Sequence, residues 1–308
     1  MKFGFQMDPV QTLNLNTDST LPLIFESQKR NNRNYIFNPS SLTFKKNSTF
    51  AQVKEIKFKN NKLSSYITSS EKILNLNSLS HIFIRQDPPF NMKYISSMHL
   101  LEQLNSKTKL INSPVGIRNA PEKILMLKFK DIIPPTLVTR SKNEIDFFTS
   151  TYMKSVIKPL YGNGGQGVFL LDRMDNNYNQ IIEKFIDDEN IPFIVQKFLP
   201  EINKGDKRII LVNGEPVAAL KRIPKKNEFR SNIHVGGSTM AVKLSKNDRK
   251  ICSIIKETLI NEKLFFVGID VIGNYLTEIN VTSPTCIQEI KKVHNIDVAK
   301  IIFDKLDG

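Results

Sequence analysis

Apolar residues along the first 120 positions come in short bursts whose spacing switches between the periods of strands and helices. Lys2-Phe3-Gly4-Phe5-Gln6, ended by Asp8-Pro9, predicts a strand. Asp18-Ser19 offers N-cap candidates for a helix carrying Leu23, Ile24 and Phe25 toward Gln28. Tyr35-Ile36-Phe37 and His81-Ile82-Phe83-Ile84 predict further strands bounded by turn residues. Between them, residues 40–80 are rich in Asn, Ser and Lys and alternate weakly, which predicts a β-excursion with loose loops. Met92, Ile95, Met98, Leu101 and Leu104 fall at helical spacing over 92–105, and Leu110-Ile111 closes the unit as another strand. The pattern describes an open α/β domain over residues 1–120.

After Pro121 the pattern predicts a helix carrying Lys123 to about Phe129, stopped by Pro134-Pro135. A strand at Thr136–Val138, a helix from Ser141 to Thr149 and a strand at Val156–Pro159 follow. Further strands fall at Phe193–Gln196, Lys207–Val212, Val217–Leu220, Phe265–Ile272 and Tyr275–Ile279, with helices near 175–187, 245–262 and 285–305. Residues 121–308 thus read as α+β in two lobes.

Two constellations in this second part carry chemistry. Gly162-Asn163-Gly164-Gly165-Gln166-Gly167 places four glycines in six positions directly after a strand. Glycine tolerates positive φ and lets backbone N–H groups approach a phosphate chain. No Gly-Lys-Ser/Thr follows, so this is not a P-loop; Val168–Leu171 reads as a strand, so it is not a dinucleotide fingerprint either. A glycine loop between two strands predicts a hairpin flap over phosphates, with Lys158 in the strand before it and Lys123 upstream as candidate cations. Asp270 lies in an apolar strand, and Glu278 and Asn280 share a face of the next because strand side chains alternate. Hard oxygen ligands without His or Cys suit Mg²⁺ held together with nucleotide phosphates. Flap, lysines and acids together point to Mg-ATP chemistry.

Composition narrows the alternatives. The 308 residues are 40% hydrophobic and 24% charged, an ordinary globular balance, and no apolar run approaches a membrane span. The N-terminal apolar run meets Asp8-Pro9 too early for a signal peptide, so a soluble cytoplasmic protein is expected. Cys252 and Cys286 form no CxxC, and the four histidines are scattered, so neither a disulfide framework nor a zinc site is visible. Lys+Arg 44 against Asp+Glu 30 gives +14, yet no tract of five like charges occurs; Lys221-Arg222 and Lys225-Lys226 are the densest cluster. Basic residues interleaved with exposed aromatics, which nucleic-acid binding would need, are not found. The charge reads as solvated lysine that would also draw in an anionic substrate. Residues 225–240 hold Lys225, Lys226, Arg230, Asn232, His234, Gly236 and Gly237, with only Phe229, Ile233, Val235 and Met240 as apolar residues, so a lid mobile without ligand is expected there.

The chain resembles the bacterial glutathione synthetase family of ATP-grasp ligases. The matching blocks run in order along nearly the whole chain: Met7-Asp8-Pro9, Arg85-Gln86-Asp87-Pro88-Pro89-Phe90, Glu122-Lys123, Lys158-Pro159 and the glycine loop. Gly205-Asp206-Lys207-Arg208, Gly214–Val217, Arg222-Ile223-Pro224, Gly268–Gly273 and Leu276–Thr285 continue them. The resemblance implies a two-lobed ATP-grasp domain behind the N-terminal domain. It implies phosphorylation of the γ-glutamylcysteine carboxylate by ATP and attack of glycine on the acyl phosphate. Another carboxylate–amine ligase with a different acceptor is the alternative.

By resemblance, Lys123 and Lys158 contact ATP phosphates, and Gln196, Lys197, Phe198 and Leu199 form a hinge holding adenine through its backbone. Two Mg²⁺ (or Mn²⁺) ions would be bridged by Glu278, with Asp270 and Asn280 completing the shells. Arg208 would face the reacting carboxylate and γ-phosphate; Arg222, Arg230 and Asn232 would contact peptide or close over it, with Gly236-Gly237 as a hinge of the lid. Arg85 and Ser283 are further substrate-side assignments, and a tetramer is implied. The chain departs from the family pattern at Ser231 and His234-Val235 in the lid, at Tyr161 before the glycine loop and at Lys197 in the hinge.

Overall fold

A computed structural model describes residues 1–162, 164–188, 191–225, 230 and 237–307. Strand Lys2–Gln6 lies inside an eight-stranded sheet, flanked in parallel by Arg33–Phe37 and by His81–Ile84, with Lys109–Ile111 parallel beyond the latter. Parallel strands are covered on both faces, which is why Lys2–Gln6 and Arg33–Phe37 each bury four consecutive residues rather than alternating. The first crossover helix, Thr20–Lys29, is capped by Asp18, whose Oδ1 accepts the Thr20 and Leu21 amides at 2.8 and 2.6 Å. The second, Met92–Leu101, is capped by Asn91 and ends earlier than its apolar spacing predicts. The excursion over 40–80 is a set of antiparallel strands built on the long, alternately buried Ser48–Phe58. A short helix, Pro114–Asn119, opened by Ser113 and Pro114, was not anticipated from the apolar spacing.

Past Pro121 the expected helix is replaced by a 3₁₀ turn, Leu125–Lys128. The reason is tertiary: the Ile279 amide donates to the Glu122 carbonyl and the Leu276 amide to the Ile132 carbonyl. This pins both ends of the segment to strand Tyr275–Asn280. A four-stranded antiparallel sheet follows, in the order Phe169–Asp172, Lys154–Pro159, Phe193–Lys197, Thr136–Thr139. Helices Lys142–Tyr152 and Tyr178–Asp188 pack on it and give this lobe its own core around Ile145, Ile157, Phe185 and Val195. The last sheet is antiparallel, in the order Ser238–Ala241, Glu215–Ile223, Asp206–Val212, Phe266–Ile272, Tyr275–Asn280. The helix expected over 285–305 is two, Ile287–His294 and Val298–Asp307, because Asn295 adopts a left-handed φ of 57° between them.

The large lobe shares its apolar interior with the N-terminal domain. Phe3, Phe5 and Phe83 pack in one cluster with Ile210, Val212, Phe266 and Phe303, and Ile82 and Met98 in another with Ile209 and Val267. Asn112 sews the two together, donating to the Phe266 and Val281 carbonyls, both at 2.8 Å, and accepting the Phe266 amide. The result is one broad body plus a small four-stranded lobe, with the site in the cleft between them. Both cysteines are buried.

Candidate active site

The glycine loop connects two antiparallel strands, Lys154–Pro159 and Phe169–Asp172, so it is the hairpin the sequence predicts. Gly164, Gly165 and Gly167 take φ values of 60°, 78° and 67°, the left-handed region in which a Cβ is strained. Lys158 precedes the loop on the strand, and Lys123, 4% exposed, reaches it from the segment after Pro121. The Lys123 ammonium donates to the Gly162 carbonyl and lies 3.5 Å from Glu278 Oε1. Burial lowers the Lys158 pKa to about 8; nearby Glu278 opposes the shift and Lys123 adds to it. Two cations thus converge below the loop and share one carboxylate. The cavity under the loop is closed opposite by Gln196–Leu199, where Gln196 Nε2 donates to Thr136 Oγ1 at 2.9 Å. Arg230 also lines this cavity, donating to the Gly165 carbonyl at 3.3 Å.

Strand register builds the charged floor. Arg208, Asp270 and Glu278 stand directly opposite one another on three neighbouring strands, and Asp206, two residues before Arg208, stands opposite Arg222. Arg208 donates to both oxygens of Asp270, Nε to Oδ1 at 2.6 Å and Nη2 to Oδ2 at 3.0 Å. Arg222 donates to both oxygens of Asp206 and places Nη2 2.9 Å from Asp270 Oδ2. The result is a buried chain Asp206–Arg222–Asp270–Arg208. Burial would raise the Asp270 pKa, but Arg208 and then Arg222 outweigh it and hold the carboxyl well below the usual range. The same acids keep both guanidiniums charged despite their burial.

A second cavity adjoins the first and shares Arg222 and Glu278 with it. Arg208, Asn280, Ser283, Asp87 and Glu122 are among its walls. Asn280 Nδ2 is buried without a hydrogen-bond partner among the described residues, beside the carboxylates of Glu278 and Asp270. The carboxylate oxygens of Glu278 and Asp270 are hard ligands of the kind that fit Mg²⁺. Glu122 was not picked out from its own sequence context. Burial and the neighbouring Glu278 raise its pKa to about 7, against the Thr282 hydroxyl, which donates to its Oε1 at 2.7 Å. The only sequence signal for it was its place beside Lys123 in a family block. Asp206 was likewise not predicted.

Arg85 faces away from the cleft. It is 3% exposed, donates to Thr20 Oγ1 and to the Pro284 carbonyl at 2.9 Å, and lines neither cavity. It braces the Ser283-Pro284 turn from behind, and Ser283 itself lines the second cavity. Of the lid expected over 225–240, residues 238–240 belong to edge strand Ser238–Ala241, next to a half-buried Gly237. Asn232, Gly236, Ser231 and His234 lie outside the described residues.

A glycine-loop lobe clasped against a carboxylate-bearing sheet is the architecture of ATP-grasp ligases. D-cycloserine synthetase DcsG matches the structure with a TM-score of 0.71 at 11% identity, covering 99% of this chain and 98% of that one. A RiPP-associated ATP-grasp ligase from Chryseobacterium gregarium, solved with ADP and leader and core peptide, matches at 0.66 and 17% identity, over 100% and 97% of the two chains. These likenesses establish the fold. The chain belongs to the prokaryotic glutathione synthetase family: the model of that family's N-terminal domain matches residues 1–118 and the model of its ATP-grasp domain residues 122–295. Glutathione synthetase of Agrobacterium fabrum is 42% identical over 304 residues, 99% of this chain and 95% of its own. That of Mesorhizobium japonicum is 39% identical over 308 residues, 100% of this chain and 98% of its own.

Proposed function

We propose that this chain is an ATP-dependent ligase joining γ-L-glutamyl-L-cysteine to glycine, with release of ADP and phosphate. The observation that carries the reading is the junction of the two cavities: Arg222 and Glu278 wall both, so a nucleotide in one and a peptide in the other would meet there. The peptide's cysteinyl carboxylate attacks the γ-phosphorus of ATP, ADP leaves, and an acyl phosphate forms. The glycine amine then attacks the acyl carbon, phosphate leaves, and the ammonium proton is lost to water.

The protein's part is positioning and charge neutralisation. Lys123 and Lys158 would hold the phosphates, and the glycine loop would cover them. Lys197 and Phe198 already donate their amides to the Pro135 and Lys154 carbonyls, so a base at the hinge would be read by the hinge carbonyls and the Leu199 amide. Arg208 and Arg222, locked by Asp270 and Asp206, would orient the carboxylate and accept the charge that develops on the transferring group. Glu278, Asn280 and Asp270 would hold two Mg²⁺ or Mn²⁺ ions, whose chemistry is to neutralise phosphate oxygens. Ser283 is assigned to the peptide side, with Arg85 bracing; Arg230, in the wall of the first cavity, would close over the site from the lid, and Gly237 with the residues outside the description, Asn232 and Gly236, complete that proposed lid. We further assign residues 1–120 as the peptide-side domain and 121–308 as the ATP-grasp domain, in a cytoplasmic homo-tetramer. Among the described residues no helix is long and apolar enough to cross a membrane.

Phosphate release by the purified protein, measured across γ-glutamylcysteine, glycine and a panel of other peptides and amines, tests this. Turnover should require γ-glutamylcysteine and glycine, and should fall roughly 10²–10³-fold in Glu278→Gln. Faster turnover with a different acceptor would reassign the substrate, and near-normal Glu278→Gln activity at saturating Mg²⁺ would remove that residue from the site.

A further inference from the structure

Tyr161 stands immediately before Gly162, and its ring stacks on Phe90 with centroids 5.9 Å apart and planes 28° from parallel. Phe90 packs in turn on Tyr94, at 5.4 Å between centroids. Tyr94 is fully buried in the first turn of helix Met92–Leu101. This short aromatic ladder joins the walls of two different cavities. Tyr161 leads into the glycine loop that covers the first, while Asp87 and Pro88, just before Phe90, line the second. Lys123 makes a parallel connection beneath the loop, between the Gly162 carbonyl and Glu278.

Tyr161 is 39% exposed, so its contact with Phe90 sits at the surface and adds little to the core. We propose that Tyr161 and Phe90 form a latch through which the glycine loop and the 87–90 segment order one another, giving positive mutual coupling between nucleotide and peptide. The proposal rests on the assignment of the two cavities made above. A loop with three left-handed glycines has backbone freedom to lose, and a ligand that orders it must offset that loss. With Tyr161 held on Phe90, the same ordering fixes the Asp87-Pro88 wall, so the second ligand meets a surface already set. Linkage makes the effect reciprocal: each ligand tightens the other by the same factor. The worth of one aromatic pair sets that factor at roughly 2- to 10-fold.

Calorimetric titration of the full chain with a non-hydrolysable ATP analogue and Mg²⁺, with and without γ-glutamylcysteine and in the reverse order, measures the coupling. Wild type should show the same factor in both directions. Tyr161→Phe should retain it, and Tyr161→Ala should bring it close to one without a change in melting temperature. Full coupling in Tyr161→Ala, or a loss in Tyr161→Phe as complete as in Tyr161→Ala, would overturn the latch. Wild type that binds both ligands with no mutual effect would also overturn it while leaving the cavity assignment standing. A chain that binds neither ligand would overturn both.

Discussion

Single residues in this molecule behave according to what surrounds them rather than to their type. Lys158 and Lys123 are both lysines below one loop, yet burial lowers the pKa of the first while the second is paired with Glu278. His81 shows the same dependence away from the site. It stacks on Phe3 at 4.6 Å, its Nε2 is buried without a hydrogen-bond partner among the described residues, and Nδ1 lies 3.1 Å from Ser80 Oγ. Burial, and then Lys109, push its pKa below the ordinary 6.5, with Asp307 opposing. The unfolded chain therefore binds a proton that the folded one resists, and stability is lost as pH falls below about 6.5. His81→Phe keeps the stack and removes the proton site. Its urea midpoint relative to wild type should rise between pH 7 and pH 5, and a difference that stays constant over that range would show that His81 does not titrate with folding.

At the scale of elements, the turn Pro200–Lys204 and the strand after it place the first acid of the buried chain. Gly205 ends the turn at φ 94° and ψ 164°, a region essentially reserved for glycine, and a Cβ there would fall 2.3 Å from the Arg222 carbonyl oxygen. Gly205→Ala should therefore cost about 1–3 kcal/mol from backbone strain, with the clash adding to it. Because Asp206 follows directly and holds Arg222, activity should fall further than the loss of stability accounts for. Thermal melts beside phosphate-release assays at a temperature where the variant is folded separate the two effects. A variant with unchanged melting would mean that the turn relaxes freely.

For the whole molecule, the C-terminal helix returns to the first helix and closes the body. Arg30 meets Glu26 at 3.1 Å, Asp304 at 2.5 Å and Asp307 at 2.6 Å, and Phe303 enters the cluster of Phe3 and Phe83. Asp304 and Asp307 are exposed, so their pairs with Arg30 contribute only on the order of 1 kcal/mol and are screened by salt, while Glu26 is buried on the first helix itself. Arg30→Ala should speed hydrogen exchange in Val298–Asp307 at low salt, while Lys2–Gln6 remains protected. Equal exchange rates in wild type and variant at low salt would show that apolar packing alone docks the helix. Exposed lysines such as Lys57, Lys128 and Lys300 each lie beside a carboxylate.

The sequence by itself determined the local features. Apolar spacing marked most strands and helices, the glycine density marked the flap, and acids inside apolar strands marked the Asp270–Glu278–Asn280 face, because each depends on residues close in the chain. Whatever depended on distant partners came only with tertiary structure. The 3₁₀ turn at Leu125–Lys128 follows from hydrogen bonds to a strand some 150 residues later, and no local pattern records them. Asp206 and Glu122 acquire their roles through neighbours 16 and 160 residues away, Arg222 and Thr282. Arg85 shows the converse, a cation whose sequence block indicates substrate but which folding turns inward onto Pro284. Cross-strand register and burial made these choices, since a charge in a sheet is defined by what stands opposite it.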